Sequence, residues 1–154
     1  MVYLSYALFL IEKTIGKIKT QSSVYLTQAW KMSEDTAFFY NLCVELDAEL
    51  SADILLLKLL EIEKTLYRVR SETQQYIART IDIDILFFNS EIINTQNLKV
   101  PHPHIADRNF VLVPLSEIAG QYLHPIKKIT LSELAKHCTD KNFVTPISCK
   151  STCV

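Results

Sequence analysis

The stretch Arg79-Thr80-Ile81-Asp82-Ile83-Asp84-Ile85-Leu86 decides how this chain is read. Apolar and acidic residues alternate through it with period 2, the pattern of a half-buried strand. Residues two apart on a strand lie roughly 7 Å apart on one face, so Asp82 and Asp84 stand side by side where a hard divalent cation, or a pair, can sit. Aspartate is disfavoured in strands, and two like charges on one face are costly unless a cation offsets them. Plain solvated polarity on a one-sided strand is the competing reading. Arg79 stands just before the carboxylates, and a guanidinium is suited to phosphate oxygens.

Working upstream, residues 2–5 read as a short strand and 7–18 as a helix with Leu8, Ile11, Ile15 and Ile18 on one face. Residues 22–26 are strand-like, and 27–38 read as an irregular loop. A strand follows over 39–49, with Leu42, Val44, Leu46 and Ala48 on one face and Asn41, Cys43, Glu45, Asp47 and Glu49 on the other. Ser51 is placed to cap a long helix running to about Tyr67, with Asp53 in its first turn against the dipole. Downstream come a hairpin near 92–100, a Pro101-His102-Pro103 turn, a short helix over 113–119, and a capping box from Thr130 to Glu133 opening a last helix.

The order strand–helix–strand–strand–helix–strand predicts an α+β, ferredoxin-like βαββαβ core: an antiparallel sheet with its helices on one face, plus a C-terminal hairpin and short helices. The opposite face is left for ligands, and parity puts Asn41, Asp82 and Asp84 on it. The 154 residues fit a single domain, with residues 143–154 expected as a flexible tail. With 49% hydrophobic and 21% charged residues and a net charge of −1, nothing marks a general nucleic-acid or membrane-surface binder. A polyanion site must therefore be a local cluster of arginines. Cys43, Cys138, Cys149 and Cys153 lack both Cys-x-x-Cys and zinc-like spacing, so reduced thiols in a cytoplasmic protein are expected. Residues 1–11 are apolar but have no basic leader and no cleavage site, and are read as buried structure.

Arg68 and Arg70 leave the long helix, Arg79 follows a polar loop, and Arg108 lies beyond the acidic strand. Together they can surround a triphosphate with fork-like donors. Taken alone, Arg68-x-Arg70 is also a solvated helix end favoured by the macrodipole. His102 reads as a turn residue, and Glu63 as polarity on an exposed helix face.

These residues resemble one family closely, the 6-hydroxymethyl-7,8-dihydropterin pyrophosphokinases of folate biosynthesis. Its Arg-Thr-apolar-Asp-apolar-Asp-apolar strand is matched by residues 79–85. Its apolar-Asn-Thr hairpin is matched by Ile92-Ile93-Asn94-Thr95, and its Pro-His turn by Val100-Pro101-His102 with Arg108 and Phe110. Ser22-Ser23-Val24-Tyr25-Leu26-Thr27, Asn41 and Ile62-Glu63-Lys64 also line up. The resemblance implies transfer of pyrophosphate from ATP to the hydroxymethyl group of a reduced pterin, with release of AMP. Asp82 and Asp84 would then hold two magnesium ions. Arg68, Arg70 and Arg79 would close over the phosphates, with Glu63, His102 and Arg108 also on ATP. Thr27 and Asn41 would read the pterin edge, Phe39 and Phe110 would sandwich its ring, and Tyr76 would cover the closed site. The expected partners are ATP and 6-hydroxymethyl-7,8-dihydropterin, with no nucleic acid and no membrane, in a monomer or weak homodimer.

The chain departs from the family mainly at glycines. The family's Gly-Ser-Asn-Leu-Gly loop after the first strand has no counterpart at Ser5-Tyr6-Ala7-Leu8, Trp30 is followed by Lys31, and Tyr67 stands before the Arg-x-Arg pair. Only Gly16 and Gly120 remain. Glycine serves where φ is positive or backbone approaches a ligand. The alternative function is therefore a homologue that binds nucleotide or pterin without turnover.

Overall fold

A computed structural model describes residues 1–28, 38–68 and 81–147, with the backbone alone for residues 67 and 68. In order along the chain come α1 (Val2–Thr14), β1 (Lys17–Gln21), β2 (Tyr25–Gln28), β3 (Phe38–Asn41), β4 (Val44–Asp47) and α2 (Ala52–Arg68). After them follow β5 (Ile93–Asn94), β6 (Lys99–Val100), a 3-10 turn (Ile105–Asp107), α3 (Asn109–Ala119), α4 (Leu131–His137) and β7 (Val144–Pro146). The class is α+β with antiparallel pairing. The chain divides into two compact units, Met1–Lys19 with Glu45–Pro103, and Thr20–Val44 with His104–Val154.

The first unit is built on two helices. Along α2, Ala52, Leu55, Leu59, Ile62 and Leu66 recur at helical spacing and are all buried. Ala7 and Ile11 of α1 join them, as do Ile85, Leu98 and Val100, with Ile18, Leu46, Ile81 and Ile83 partly buried against the same cluster. Strand β1 pairs with β4. At the turn into β1, a Cβ on Gly16 would collide with the Asp47 carbonyl oxygen, so this close backbone approach admits only glycine. The β5–β6 hairpin sets Ile93 opposite Val100 and Asn94 opposite Lys99.

In the second unit β2 is the central strand of a three-stranded antiparallel sheet, flanked by β3 and β7. Tyr25 faces Asn41 and Thr27 faces Phe39 across β2–β3. Helix α3 packs on α4 and touches β2 and β3, and Leu112 and Leu131 are 0% exposed. Thr130 caps α4 as its sequence predicts: its hydroxyl accepts from the Glu133 N–H (3.2 Å), and Glu133 accepts from the Thr130 N–H (2.9 Å).

Four expectations are corrected. Residues 2–5 are helical, not a strand, with the Ser5 N–H donating to the Met1 carbonyl (3.2 Å). A short apolar run does not separate the two periods, and no strand-to-helix passage exists at Ser5–Leu8. The strand expected over 39–49 breaks between β3 and β4, where the Ser22 N–H donates to the Cys43 carbonyl and the Cys43 N–H donates to the Ser22 hydroxyl, both at 2.9 Å. Ser22 lies three positions before Tyr25 while Cys43 lies two after Asn41, so the pairing is irregular here with the extra residue on the β2 side; Cys43 is 8% exposed. Residues 81–88 keep the predicted alternation but, among the described residues, join no strand ladder. Instead the Ile83 N–H donates to the Glu63 carboxylate and the Leu86 carbonyl accepts from the His102 N–H. Finally, Val144–Pro146 is not loose tail: it pairs with β2, and Ile147 continues with an N–H donated to the Val24 carbonyl (2.8 Å).

His124 is 4% exposed, and its Nδ1 accepts from the N–H groups of Ile126 and Lys127, both at 3.2 Å. Burial, and then the Lys127 charge, push its imidazole below the ordinary 6.5. A folded-state value below the unfolded one contributes stability that is complete above about 6.5 and lost as pH falls through the folded value. Unfolding in urea at stepped pH should show wild type losing more stability below pH ~6.5 than His124→Asn does; parallel curves would refute the role of this turn. For the first unit's core, Leu59→Ala (6% exposed) should cost about 2–5 kcal/mol. Leu57→Ala (56% exposed) should cost within about 0.5 kcal/mol by the same measurement.

Candidate active site

Two groups of predicted residues are brought together, one in each unit. In the first, Ile81, Ile83 and Ile85 pack toward the α1–α2 core, which leaves Asp82 and Asp84 exposed on the outer side. The Glu63 Oε1 accepts the Ile83 N–H at 2.6 Å. This short charge-assisted bond anchors the peptide between the two aspartates to α2. Glu63 is thus tied to the acidic segment, a role that its reading as an exposed helix position did not contain. The His102 N–H donates to the Leu86 carbonyl at 2.9 Å, so the Val100-Pro101-His102 turn runs beside the same segment.

Among the described residues no three of His, Cys, Asp or Glu converge as a metal cage. Two exposed carboxylates nevertheless fit magnesium. That ion takes hard oxygen donors, keeps several waters, and is commonly held by one or two carboxylates together with substrate phosphates.

In the second unit the predicted residues lie on β2, β3 and the start of α3, elements that pack on one another. Thr27 on β2 is 1% exposed, and its Oγ1 accepts from the Asn41 Nδ2 at 2.7 Å. That bond fixes the plane of a carboxamide able to both donate and accept. Phe39 lies opposite Thr27 and is 47% exposed, an aromatic face open to a ligand. Phe110 sits in the first turn of α3, and the Arg108 guanidinium lies 5.8 Å from its ring centroid, within cation–π range. Asp140 accepts the Asn109 N–H at 2.9 Å, satisfying one of the amides that a helix start leaves unpaired.

Arg70, Tyr76 and Arg79 lie outside the described residues, as does the Arg68 side chain. Sequence reasoning missed two residues of this unit, Asp140 and Glu117. Each binds a partner at least 31 positions away, and no periodicity connects such pairs.

The profile of the 7,8-dihydro-6-hydroxymethylpterin-pyrophosphokinase family matches residues 1–120. A 2-amino-4-hydroxy-6-hydroxymethyldihydropteridine pyrophosphokinase of Aquifex aeolicus is 38% identical over 142 residues, covering 91% of this chain and 87% of its own. The enzyme of the same name from Bacillus subtilis is 41% identical over 120 residues, 77% of this chain and 70% of that one. A folic acid synthesis protein of Dictyostelium discoideum is 36% identical over 119 residues, 75% of this chain but 18% of that much longer protein.

The Thr27–Asn41 bond is open to a double-mutant cycle. Thr27→Val is nearly isosteric and leaves the Asn41 amide without its acceptor, so a loss of about 1–3 kcal/mol in urea unfolding is expected. Asn41→Ala in the Thr27→Val background should add less than it does in wild type; full additivity would show that the two side chains do not act together.

Proposed function

The chain belongs to the 7,8-dihydro-6-hydroxymethylpterin-pyrophosphokinase family, and on that premise we propose that it transfers pyrophosphate from ATP to 6-hydroxymethyl-7,8-dihydropterin in folate biosynthesis. The observation that carries the reading is the outward pair Asp82 and Asp84 on a segment whose isoleucines are buried. The pterin hydroxyl oxygen attacks the β-phosphorus, the bond from that phosphorus to the α-phosphate bridging oxygen breaks, and AMP leaves. The hydroxyl proton is released to solvent. Chemistry of this kind rests on positioning and on neutralising charge.

Asp82 and Asp84 would hold magnesium, two ions in this reading, which when bound neutralises phosphate oxygens and orients them. Glu63 keeps the aspartates aimed outward through the Ile83 amide. His102 and Arg108 contact the triphosphate in this reading, and Arg68, Arg70 and Arg79 close over it, with Tyr76 excluding water. On the pterin side, Asn41 reads the amide-like edge with Thr27 behind it, while Phe39 and Phe110 stack on the ring. The fold proposed behind this activity is ferredoxin-like. The packing of α1 and α2 on one side of β1, β4 and the acidic segment in the first unit supports it. A homologue that binds without turnover finds no support, since the relatives above that share its length are named as the enzyme.

AMP release should require both magnesium and 6-hydroxymethyl-7,8-dihydropterin. Asp82→Asn and Asp84→Asn should each lower the rate on the order of 100-fold or more, the usual scale for losing one group that neutralises transition-state charge. Chromatography of the nucleotide products reads both. AMP formed without pterin, or an undiminished rate in either variant, would overturn the assignment.

A further inference from the structure

Glu117, in the last turns of α3, is exposed and is used by none of the steps above, yet both of its oxygens are engaged by Ser23 and Tyr25, just before and at the start of β2. Its Oε1 accepts from the Ser23 N–H (3.1 Å) and the Ser23 hydroxyl (2.9 Å). Its Oε2 accepts from the same N–H (3.0 Å) and from the Tyr25 hydroxyl (2.9 Å). Charge-assisted bonds of this kind are roughly twice as strong as neutral ones, and three distinct donor groups fix the carboxylate in direction as well as in place. The bonds hold the Glu117 carboxyl below the ordinary carboxylate range although burial opposes them; burial and Glu117 together raise the Tyr25 hydroxyl.

This carboxylate joins α3, which carries Phe110, to the start of β2, which carries Thr27; Asn41 and Phe39 lie on β3, paired with β2. On β2, Tyr25 and Thr27 follow at the two-residue spacing of one strand face, and Ser23 stands just before the strand. Tyr25 is paired across the ladder with Asn41, whose amide reaches Thr27. On α3, Phe110 and Glu117 are seven residues apart and therefore share a helix face, with buried Pro114 between them. The position of the Phe110 ring relative to the Thr27–Asn41 pair is therefore set by where α3 is fastened to β2. A weaker tie runs from Cys43, between β3 and β4, whose thiol donates to the Val111 carbonyl of α3 at 3.9 Å.

We propose that Glu117 is a positioning residue for the pterin: by clamping Ser23 and Tyr25 it fixes the gap between the Phe110 ring and the edge-reading Thr27–Asn41 pair. The claim rests on the pterin assignment made under Proposed function and adds a residue that touches neither substrate.

The test compares wild type with Glu117→Gln, which keeps the shape but loses one acceptor and the charge, and with Tyr25→Phe, which removes one donor. Steady-state kinetics should show KM for 6-hydroxymethyl-7,8-dihydropterin rising about tenfold in Glu117→Gln, the expected direction when binding geometry is loosened. KM for ATP and kcat should stay within twofold. Tyr25→Phe should move the same parameter by less, and Glu117→Asp should recover part of the loss. Calorimetric titration of the pterin into each protein, with magnesium and a non-hydrolysable ATP analogue present, gives the same comparison without turnover. If wild type releases no AMP, the pyrophosphokinase assignment fails, and pterin affinity alone then decides the role of Glu117. Weaker pterin binding by Glu117→Gln sustains the proposal. Equal pterin affinity in wild type and Glu117→Gln, or KM values for ATP and pterin that rise together, would overturn it.

Discussion

Everything in the first unit turns on the burial of alternate isoleucines. Ile81, Ile83 and Ile85 are pulled against the α1–α2 core by the hydrophobic effect, and because they alternate with Asp82 and Asp84, those carboxylates have nowhere to go but outward. The Glu63 bond to the Ile83 amide makes the arrangement specific. Without it, rotation of a single peptide unit would move both carboxylates; with it, the backbone between them is held by a group rooted in a helix whose other face is core. The outward carboxylate pair is thus produced by the same force that folds the unit, with one hydrogen bond setting its direction.

The second unit solves a different problem. A flat heteroaromatic ring is recognised by stacking faces and by a rigid hydrogen-bonding edge, and in the proposed reading these come from different kinds of element. The edge lies on a ladder, where Asn41 and Thr27 are diagonal neighbours held by the β2–β3 register. One stacking face belongs to the start of a helix, whose first amide is satisfied by Asp140. A sheet residue and a helix residue have no intrinsic spacing, so long-range polar ties such as that of Glu117 decide it.

Much of this was legible in the sequence, and the reasons are physical. The long α2, the α4 capping box and the β5–β6 hairpin follow local rules, helical spacing and turn chemistry, that tertiary packing did not override. The alternation at residues 81–86 correctly separated core from carboxylate because burial alone enforces it. What failed depended on partners distant in the chain. Residues 2–5 are equally apolar as strand or helix, and only packing on α2 decides between them. The burial of Cys43 goes with its contacts to Ser22 and Val111, 21 and 68 positions away, which no periodicity in the strand records. Membership of β7 in the sheet depends on β2, some 120 positions earlier, as the Thr27–Val144 and Tyr25–Pro146 pairs show.

The division of the chain bears on its birth at the ribosome. Each compact unit is assembled from two separate stretches, and the chain passes from one to the other at 19/20, 44/45 and 103/104. Proteins made of consecutive domains complete the first before the second emerges. Here neither unit can do so: β2 and β3 are synthesised with the first unit half made, and wait for α3, α4 and β7 before their outer contacts exist. The second edge of β2 therefore has no partner until β7 is added, about one hundred residues after β3, and an unpaired strand edge of this kind can pair with other chains. A single cut at any one position also cannot part the two units cleanly, because a stretch of the second lies between the two stretches of the first.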